Sequence, residues 1–168
     1  NDYRICAYAR AIDWLLWSAE GFDVCVEEET QNVAALAVQG PTSCAALMAM
    51  GLSGLDALKP FGIEYFDFEG EQLMVSRTGF TGDLGYELWI APGKAEDLWD
   101  RLFAAGAPHI IKPFGMEALE MARIETGFIQ AGVDFIPAEE TIRQGRSRSP
   151  FELGLDWLVD LNKPVFNG

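Results

Sequence analysis

The residues most suited to chemistry lie in the stretch 75–89, where a glycine-rich segment separates two alternating apolar runs. Three glycines recur at every third position: Gly79, Gly82 and Gly85. Glycine adopts backbone angles that are closed to other residues, so this spacing predicts a tightly folded loop. Glu87 follows the loop, and a strand carboxylate can accept two hydrogen bonds from an amino-heterocycle while an aromatic residue such as Phe80 stacks on its ring. The stretch is either a plain hairpin or a hairpin that binds a flat polar ring.

The flanks of the loop alternate with a period of two residues, which is typical of paired strands. One predicted face is apolar: Leu73, Val75, Tyr86, Leu88 and Ile90. Glu87 and Trp89 fall on the opposite face. The pattern therefore predicts a β-hairpin with a carboxylate on its second strand.

Other chemistries fit these residues poorly. No Lys-Ser or Lys-Thr pair follows the glycines, and the loop leads into a strand rather than a helix, which argues against a phosphate loop or a nucleotide fingerprint. Ser43, Cys44 and Ser76 lack a nearby histidine or the elbow pattern of a hydrolase. We therefore assign no catalytic residue to this chain.

A second candidate lies on the predicted helix 115–126. Glu120 and Arg123 are three residues apart and can form an ion pair on the helix surface. The alternative is that Arg123 or Glu125 points inward to a binding site.

The composition restricts the partners. A net charge of −14 repels nucleic acid, and no apolar run is long enough to span a membrane. The three cysteines form no close pair, and His109 is the single histidine, which argues against disulfides and metal sites. We expect a cytoplasmic protein, or one of the mitochondrial matrix if eukaryotic, that binds no nucleic acid, membrane or metal.

The remaining pattern predicts an α+β fold in three parts: 1–33, 34–112 and 113–168. Strands are predicted at 3–7, 22–26, 34–38, 64–68, 72–77, 86–91 and 110–111. Helices are predicted at 10–19, 43–50, 94–105 and 115–126, with a late strand or short helix at 151–161. The order within 34–112 suits a split βαβ sandwich, with helices on one face of a mainly antiparallel sheet.

Two helices carry apolar stripes at helical spacing. In the helix 10–19, Trp14 and Trp17 add a second apolar face, which predicts burial on two sides. The predicted buried stripe of the helix 94–105 is Ala95, Leu98, Trp99, Leu102 and Phe103. Thr42 or Ser43 is expected to cap the helix 43–50.

Four motifs occur in order along the chain. They are AVQGP at 37–41, SRTGFTGDLGYEL at 76–88, a GM…A…RIETG pattern at 115–127 and SPFELGLDW at 149–157. Together they resemble the aminomethyltransferase family, the T-protein of the glycine cleavage system. Its relatives include folate-dependent demethylases and the folate domains of dimethylglycine and sarcosine dehydrogenases. The resemblance covers most of the chain and implies that family's folate-binding fold, with a split βαβ (ferredoxin-like) sandwich.

The resemblance also implies an activity in one-carbon transfer. In that family a nitrogen of tetrahydrofolate attacks a one-carbon unit, and an amine leaves. The protein orients the folate, as itself or in its 5,10-methylene form, and stabilises developing positive charge. The implied partners are folate, a small methylated or aminomethyl donor, and a lipoyl carrier protein.

Site residues follow from the same resemblance. The family's glutamate at the end of the hairpin holds the pteridine, and here it is Glu87. An aromatic residue after the first glycine lines the folate pocket, and Phe80 stands where tyrosine is usual. Tyr3 matches a tyrosine that leads a pocket-lining strand, and Arg123 is the arginine that remains on the central helix.

The sequence departs from the family pattern at two places. A key aspartate would precede Asn1 and a C-terminal barrel would follow Gly168, so we expect a piece of a larger protein that is inactive alone. Leu119 stands where the glycine-cleavage member has a folate-contacting arginine. These departures leave open a demethylase-like or dehydrogenase-domain-like enzyme, a non-catalytic folate-binding or regulatory module, and a structural domain without ligand.

Overall fold

A computed structural model describes residues 3–7, 11–143 and 145–164. Its helices are α1 (Ile12–Ala19), α2 (Ser43–Ala49), α3 (Ala95–Gly106) and α4 (Met116–Thr126). Its strands are β1 (Ala34–Gln39), β2 (Ile63–Phe68), β3 (Glu71–Ser76) and β4 (Gly85–Ile90). Short 3-10 helices lie at Leu55–Ala57, Pro92–Lys94, Ala107–His109, Ala138–Glu140 and Asp156–Leu158. The α+β prediction is confirmed.

The strands form one antiparallel sheet in the order β1-β4-β3-β2. Strands β3 and β4 form the predicted hairpin, with Ser76 opposite Glu87. Strand β1 lies on the other side of β4, where Ala37 is opposite Glu87. The carboxylate therefore lies on a central strand between two small side chains.

One face of the sheet packs against α2 and α3 and forms the core. The predicted apolar face of the hairpin is confirmed, since all of its members are buried: Leu73, Val75, Tyr86, Leu88 and Ile90. Full burial of one such aliphatic side chain stabilises the fold by about 1.5–3 kcal/mol. This packing fixes which side of β4 faces the core and leaves Glu87 on the other side.

The strand predicted at 110–111 is wrong. Ile110 follows the 3-10 helix Ala107–His109 and has a φ of 60°, in the left-handed region. Ile111 instead packs closely on Gly106, whose carbonyl accepts a hydrogen bond from the Ile111 amide. The β-branched pair therefore closes the end of α3, and no fifth strand joins the sheet within the described residues.

The predictions for the first part of the chain are largely wrong. Residues 3–7 and 22–26 form no strand, because a short alternating run becomes a strand only where a neighbour completes its backbone hydrogen bonds. Helix α1 forms, although its predicted first residue, Arg10, lies outside the described residues. None of its residues is buried, and Trp14 and Trp17 are 60% and 79% exposed. The core face of the sheet is already covered by α2 and α3.

Smaller corrections concern helix faces and caps. In α3, Leu98 and Leu102 are buried as predicted, whereas Trp99 is exposed and contacts the ring of Phe103. No side chain in the described part of the chain caps α2. The two predicted caps donate to distant carbonyls instead: Thr42 to His109 and Ser43 to Leu84, each at 3.2 Å. In the late segment 151–161, the helical alternative forms only as the 3-10 helix Asp156–Leu158.

Candidate functional site

The glycine-rich loop between β3 and β4 is docked on the end of α4. The Thr126 hydroxyl donates a hydrogen bond to the Thr81 carbonyl at 3.0 Å. Gly82 has a φ of 80°, and a Cβ there would lie 2.1 Å from Thr126 Oγ1. A side chain at this position would therefore clash with α4, so glycine is required both for its backbone angle and for the close approach.

An aromatic pair joins the same two elements. The rings of Phe80 and Phe128 are stacked, with centroids 5.5 Å apart and an interplanar angle of 13°. Phe80 remains 37% exposed, so part of its ring is accessible to a ligand. The sequence interpretation missed Phe128. Its position could have indicated it, because Phe128 directly follows Gly127. That glycine ends α4 in the left-handed conformation.

Glu87 is partly buried on the face of the sheet opposite the core. Among the described residues no lysine or arginine forms an ion pair with it. Burial raises the pKa of the Glu87 carboxyl above its ordinary value, and the indole N–H of Trp89 opposes this to a smaller extent. The carboxylate thus lacks a cation and retains acceptor capacity.

Trp89 provides an unsatisfied donor two residues further along the same face. Its Nε1 is buried, and no acceptor in the described part of the chain reaches it with hydrogen-bond geometry. The effect of Trp89 on Glu87 is therefore a weak contact rather than a well-formed hydrogen bond. Buried donors are rarely left unpaired in folded proteins, so this N–H is available to donate to a water or a ligand.

A cavity of about 320 Å³ lies beside the glycine-rich loop and α4. Its walls are Phe80, Met116, Glu117, Leu119, Glu120, Arg123 and Gln130. The structure therefore brings two of the predicted site residues, Phe80 and Arg123, to one cavity. Glu87 and Tyr3 are not part of its wall.

Arg123 is almost fully buried, with 2% of its side chain exposed. Its Nε and Nη2 donate to the Glu120 carboxylate, and its Nη1 donates to the Phe128 carbonyl and to Asp134. The hydrogen bond to Glu120 is the largest cause that raises the pKa of Arg123. The pKa of Asp134 is lowered, first by the backbone N–H of Gln130 and then by Arg123. The predicted pair with Glu120 exists, but Arg123 points inward and ties residues 128–134 to α4.

Tyr3 lies in the segment 3–7, which has no regular secondary structure. The residue is 86% exposed. The neighbouring Arg4 forms an ion pair with Glu29 at 3.0 Å. A role for Tyr3 in ligand binding stays a prediction.

The described residues include neither a membrane-spanning helix nor a cluster of metal-binding side chains. No helix in the described ranges is long and apolar enough to cross a membrane. No group of three or more metal-binding side chains occurs among them.

Comparison with known proteins identifies the family to which the chain belongs. The family model for the GCVT N-terminal domain matches residues 4–163. The chain is similar to an aminomethyltransferase of Halothermothrix orenii, with 36% identity over 143 residues that make up 85% of this chain and 38% of the relative. An aminomethyltransferase of Chlorobaculum tepidum is 35% identical over 158 residues, which are 93% of this chain and 41% of the relative.

A third relative is named for a different activity. It is a trimethylamine-oxide aldolase of Ruegeria pomeroyi, 37% identical over 153 residues that cover 86% of this chain and 18% of the relative. The chain thus spans less than half the length of each of these curated relatives.

Proposed function

Because the chain belongs to the GCVT N-terminal domain family, we propose that it is part of a tetrahydrofolate-dependent transferase of aminomethyl or methyl groups. The observation that carries this proposal is the environment of Glu87. A partly buried carboxylate that has no cation partner among the described residues has acceptor capacity that a ligand can fill. The amino and ring N–H groups of a pteridine offer paired donors, and charge-assisted hydrogen bonds of this kind are strong.

Two further features support a pteridine ligand: the indole of Trp89 beside Glu87, and a separate cavity beside Phe80 whose wall does not include Glu87. The unsatisfied Nε1 of Trp89 can donate to an oxygen or nitrogen of the ring. The cavity of about 320 Å³ next to Phe80 falls within the range of about 300–1,000 Å³ that is usual for ligand pockets. The accessible part of Phe80 can stack on a flat heterocycle.

When bound, tetrahydrofolate would supply the nucleophilic nitrogen that accepts the one-carbon unit. In this proposal Glu87 fixes the orientation of the pteridine, and Phe80 stacks on it. Arg123 contributes by holding residues 128–134, and Tyr3 would line the pocket. We assign no catalytic acid or base to this chain, so its part in the reaction is binding and orientation.

The donor is proposed to be a small methylated or aminomethyl compound, in line with the names of the relatives. A lipoyl carrier protein is the corresponding partner if the donor is an aminomethyl group. In the whole protein, we expect residues 34–112 to act as the split βαβ unit, between a first subdomain (1–33) and a returning segment (113–168).

A second candidate is a folate domain of a longer multidomain enzyme, as in dimethylglycine or sarcosine dehydrogenases. It is favoured by the Ruegeria pomeroyi relative, of which the matched region is only 18%. Turnover of a methylated amine by the intact protein distinguishes both enzymes from a non-catalytic folate-binding module.

The proposal is tested by titrating tetrahydrofolate into the intact protein in a calorimeter. Loss of a hydrogen bond to a charged group costs about 1–3 kcal/mol, so we expect Glu87→Gln to weaken binding about 5- to 150-fold. Glu71→Gln is the matched control, since Glu71 is an exposed carboxylate on the adjacent strand β3. Equal affinity of the wild type and Glu87→Gln would contradict the proposal.

A further inference from the structure

The side chain of Gln39 lies inside the glycine-rich loop. Gln39 is the last residue of β1, opposite Gly85. Its Nε2 donates to the carbonyls of Thr78 and Tyr86, each at 3.3 Å. Its Oε1 accepts a hydrogen bond from the Thr81 hydroxyl at 3.2 Å. One carboxamide thus connects the incoming limb, the tip and the outgoing limb of the loop.

Two of the three loop glycines make room for this carboxamide. A Cβ at Gly79 would lie 1.9 Å from Gln39 Oε1, and a Cβ at Gly85 would lie 2.0 Å from the same atom. Any side chain at either position would displace the carboxamide and break its hydrogen bonds. The spacing of Gly79 and Gly85 is therefore explained by a long-range contact with β1.

The three hydrogen-bond partners require an amide side chain at position 39. Two partners are carbonyls, which need donors, and the third is a hydroxyl, which here needs an acceptor. A glutamate of the same size would place a charged acceptor against both carbonyls. An asparagine would be one methylene too short to reach them.

We propose that Gln39 is a positioning residue of the ligand site. Its partners Thr78 and Thr81 flank Phe80 on either side, and its partner Tyr86 directly precedes Glu87. The carboxamide therefore fixes the stacking residue and the hydrogen-bonding carboxylate relative to each other. This inference rests on the proposed function, because it assigns Gln39 a role in folate binding.

The test replaces Gln39 by glutamate in the intact protein and measures two properties. The first is the nuclear Overhauser contact between the Phe80 and Phe128 rings, which reports loop position without any ligand. The second is the dissociation constant of tetrahydrofolate. Gln72→Glu is the matched control, since Gln72 is exposed on β3.

We expect Gln39→Glu to weaken the ring contact and to reduce affinity by about tenfold, since two hydrogen bonds are lost. Gln72→Glu should change neither property. Gly79→Ala is a second route to the same state, because its methyl group would expel the carboxamide. The double variant Gln39→Glu/Gly79→Ala should then bind no more weakly than either single variant, since both remove the same interaction.

The outcomes separate this inference from the proposed function. If the wild type binds tetrahydrofolate but Gln39→Glu leaves either the ring contact or the affinity unchanged, the positioning role is overturned. Additive losses in the double variant also overturn it. If the wild type fails to bind tetrahydrofolate, the proposed function fails, and the role of Gln39 in folate binding fails with it. In that case an altered ring contact in Gln39→Glu still shows that Gln39 holds the loop.

Discussion

The two faces of the β3–β4 hairpin differ in how completely their groups are satisfied. The core face carries apolar side chains such as Leu73 and Leu88, both fully buried against the helix layer. The opposite face carries Glu87, which has no cation partner among the described residues, and the unpaired Nε1 of Trp89. The first face provides stability, whereas the second holds polar groups in a state that costs stability and suits a ligand.

The largest effect is expected from the core face. Leu88→Ala removes a fully buried side chain from a central strand and leaves a cavity. We expect it to lower the free energy of unfolding by about 2–5 kcal/mol, as measured by urea denaturation. Ile63→Ala on β2 is the control, because Ile63 is 52% exposed. A loss at Leu88 no greater than that at Ile63 would contradict the assignment of the core face.

Replacing one member of the aromatic pair Phe80–Phe128 tests whether the candidate site depends on support from the end of α4. Phe128→Ala removes the stack beneath Phe80, and such pairs contribute about 0.5–1.5 kcal/mol. We therefore expect tetrahydrofolate affinity, measured by calorimetry, to fall roughly two- to tenfold. Phe151→Ala is the control, since Phe151 is exposed in a turn. An unchanged affinity in Phe128→Ala would show that the stack does not hold the site.

The smallest effect is a gain in stability on the second face. The pKa of Glu87 is raised, so the native state favours the protonated form, and stability falls as pH rises from the ordinary value of 4.5 through the native pKa. Glu87→Gln should therefore raise the free energy of unfolding at pH 7, by less than about 1 kcal/mol because the carboxylate is only partly shielded.

This gain should vanish below the ordinary pKa of glutamate, where the carboxyl is protonated in both states. Denaturation at neutral and acid pH checks the difference, with Glu71→Gln as the exposed control. A loss of stability in Glu87→Gln at pH 7 would mean that the carboxylate is satisfied by the protein itself.

The same contrast explains what could be predicted from the sequence. The alternation of apolar residues around Val75 and Leu88 was sufficient to predict the hairpin and its core face, because burial on one face of a strand has a period of two residues. The runs at 3–7 and 22–26 share that local pattern, but a strand also requires a partner that no local pattern specifies. The predicted burial of Trp14 and Trp17 was wrong for the same reason, since an apolar helix face does not identify the element that would cover it.

Some residues of the candidate site were identified from the sequence, and their role in ligand binding stays a prediction. Glu87 and Phe80 were found through a motif that is continuous in sequence. Gln39 and Phe128 act on the same loop from far away in the chain, and the partners of Gln39 Nε2 are 39 and 47 residues distant. Arg123 was identified from the sequence, but its second carboxylate partner, Asp134, lies 11 residues further along the chain, outside α4, where helical spacing does not reveal it.

The most direct measurement is a nuclear magnetic resonance titration of the Glu87 carboxyl carbon in the intact protein, with and without tetrahydrofolate. In the free protein we expect the pKa of Glu87 to lie above its ordinary value, because the carboxyl is partly buried and no cation in the described ranges pairs with it. In the complex the pKa should fall, because ligand N–H groups stabilise the charged form. By linkage, affinity should decrease as pH falls through the pKa of the free protein. A Glu87 pKa that is the same with and without bound tetrahydrofolate would contradict the central role of this carboxylate.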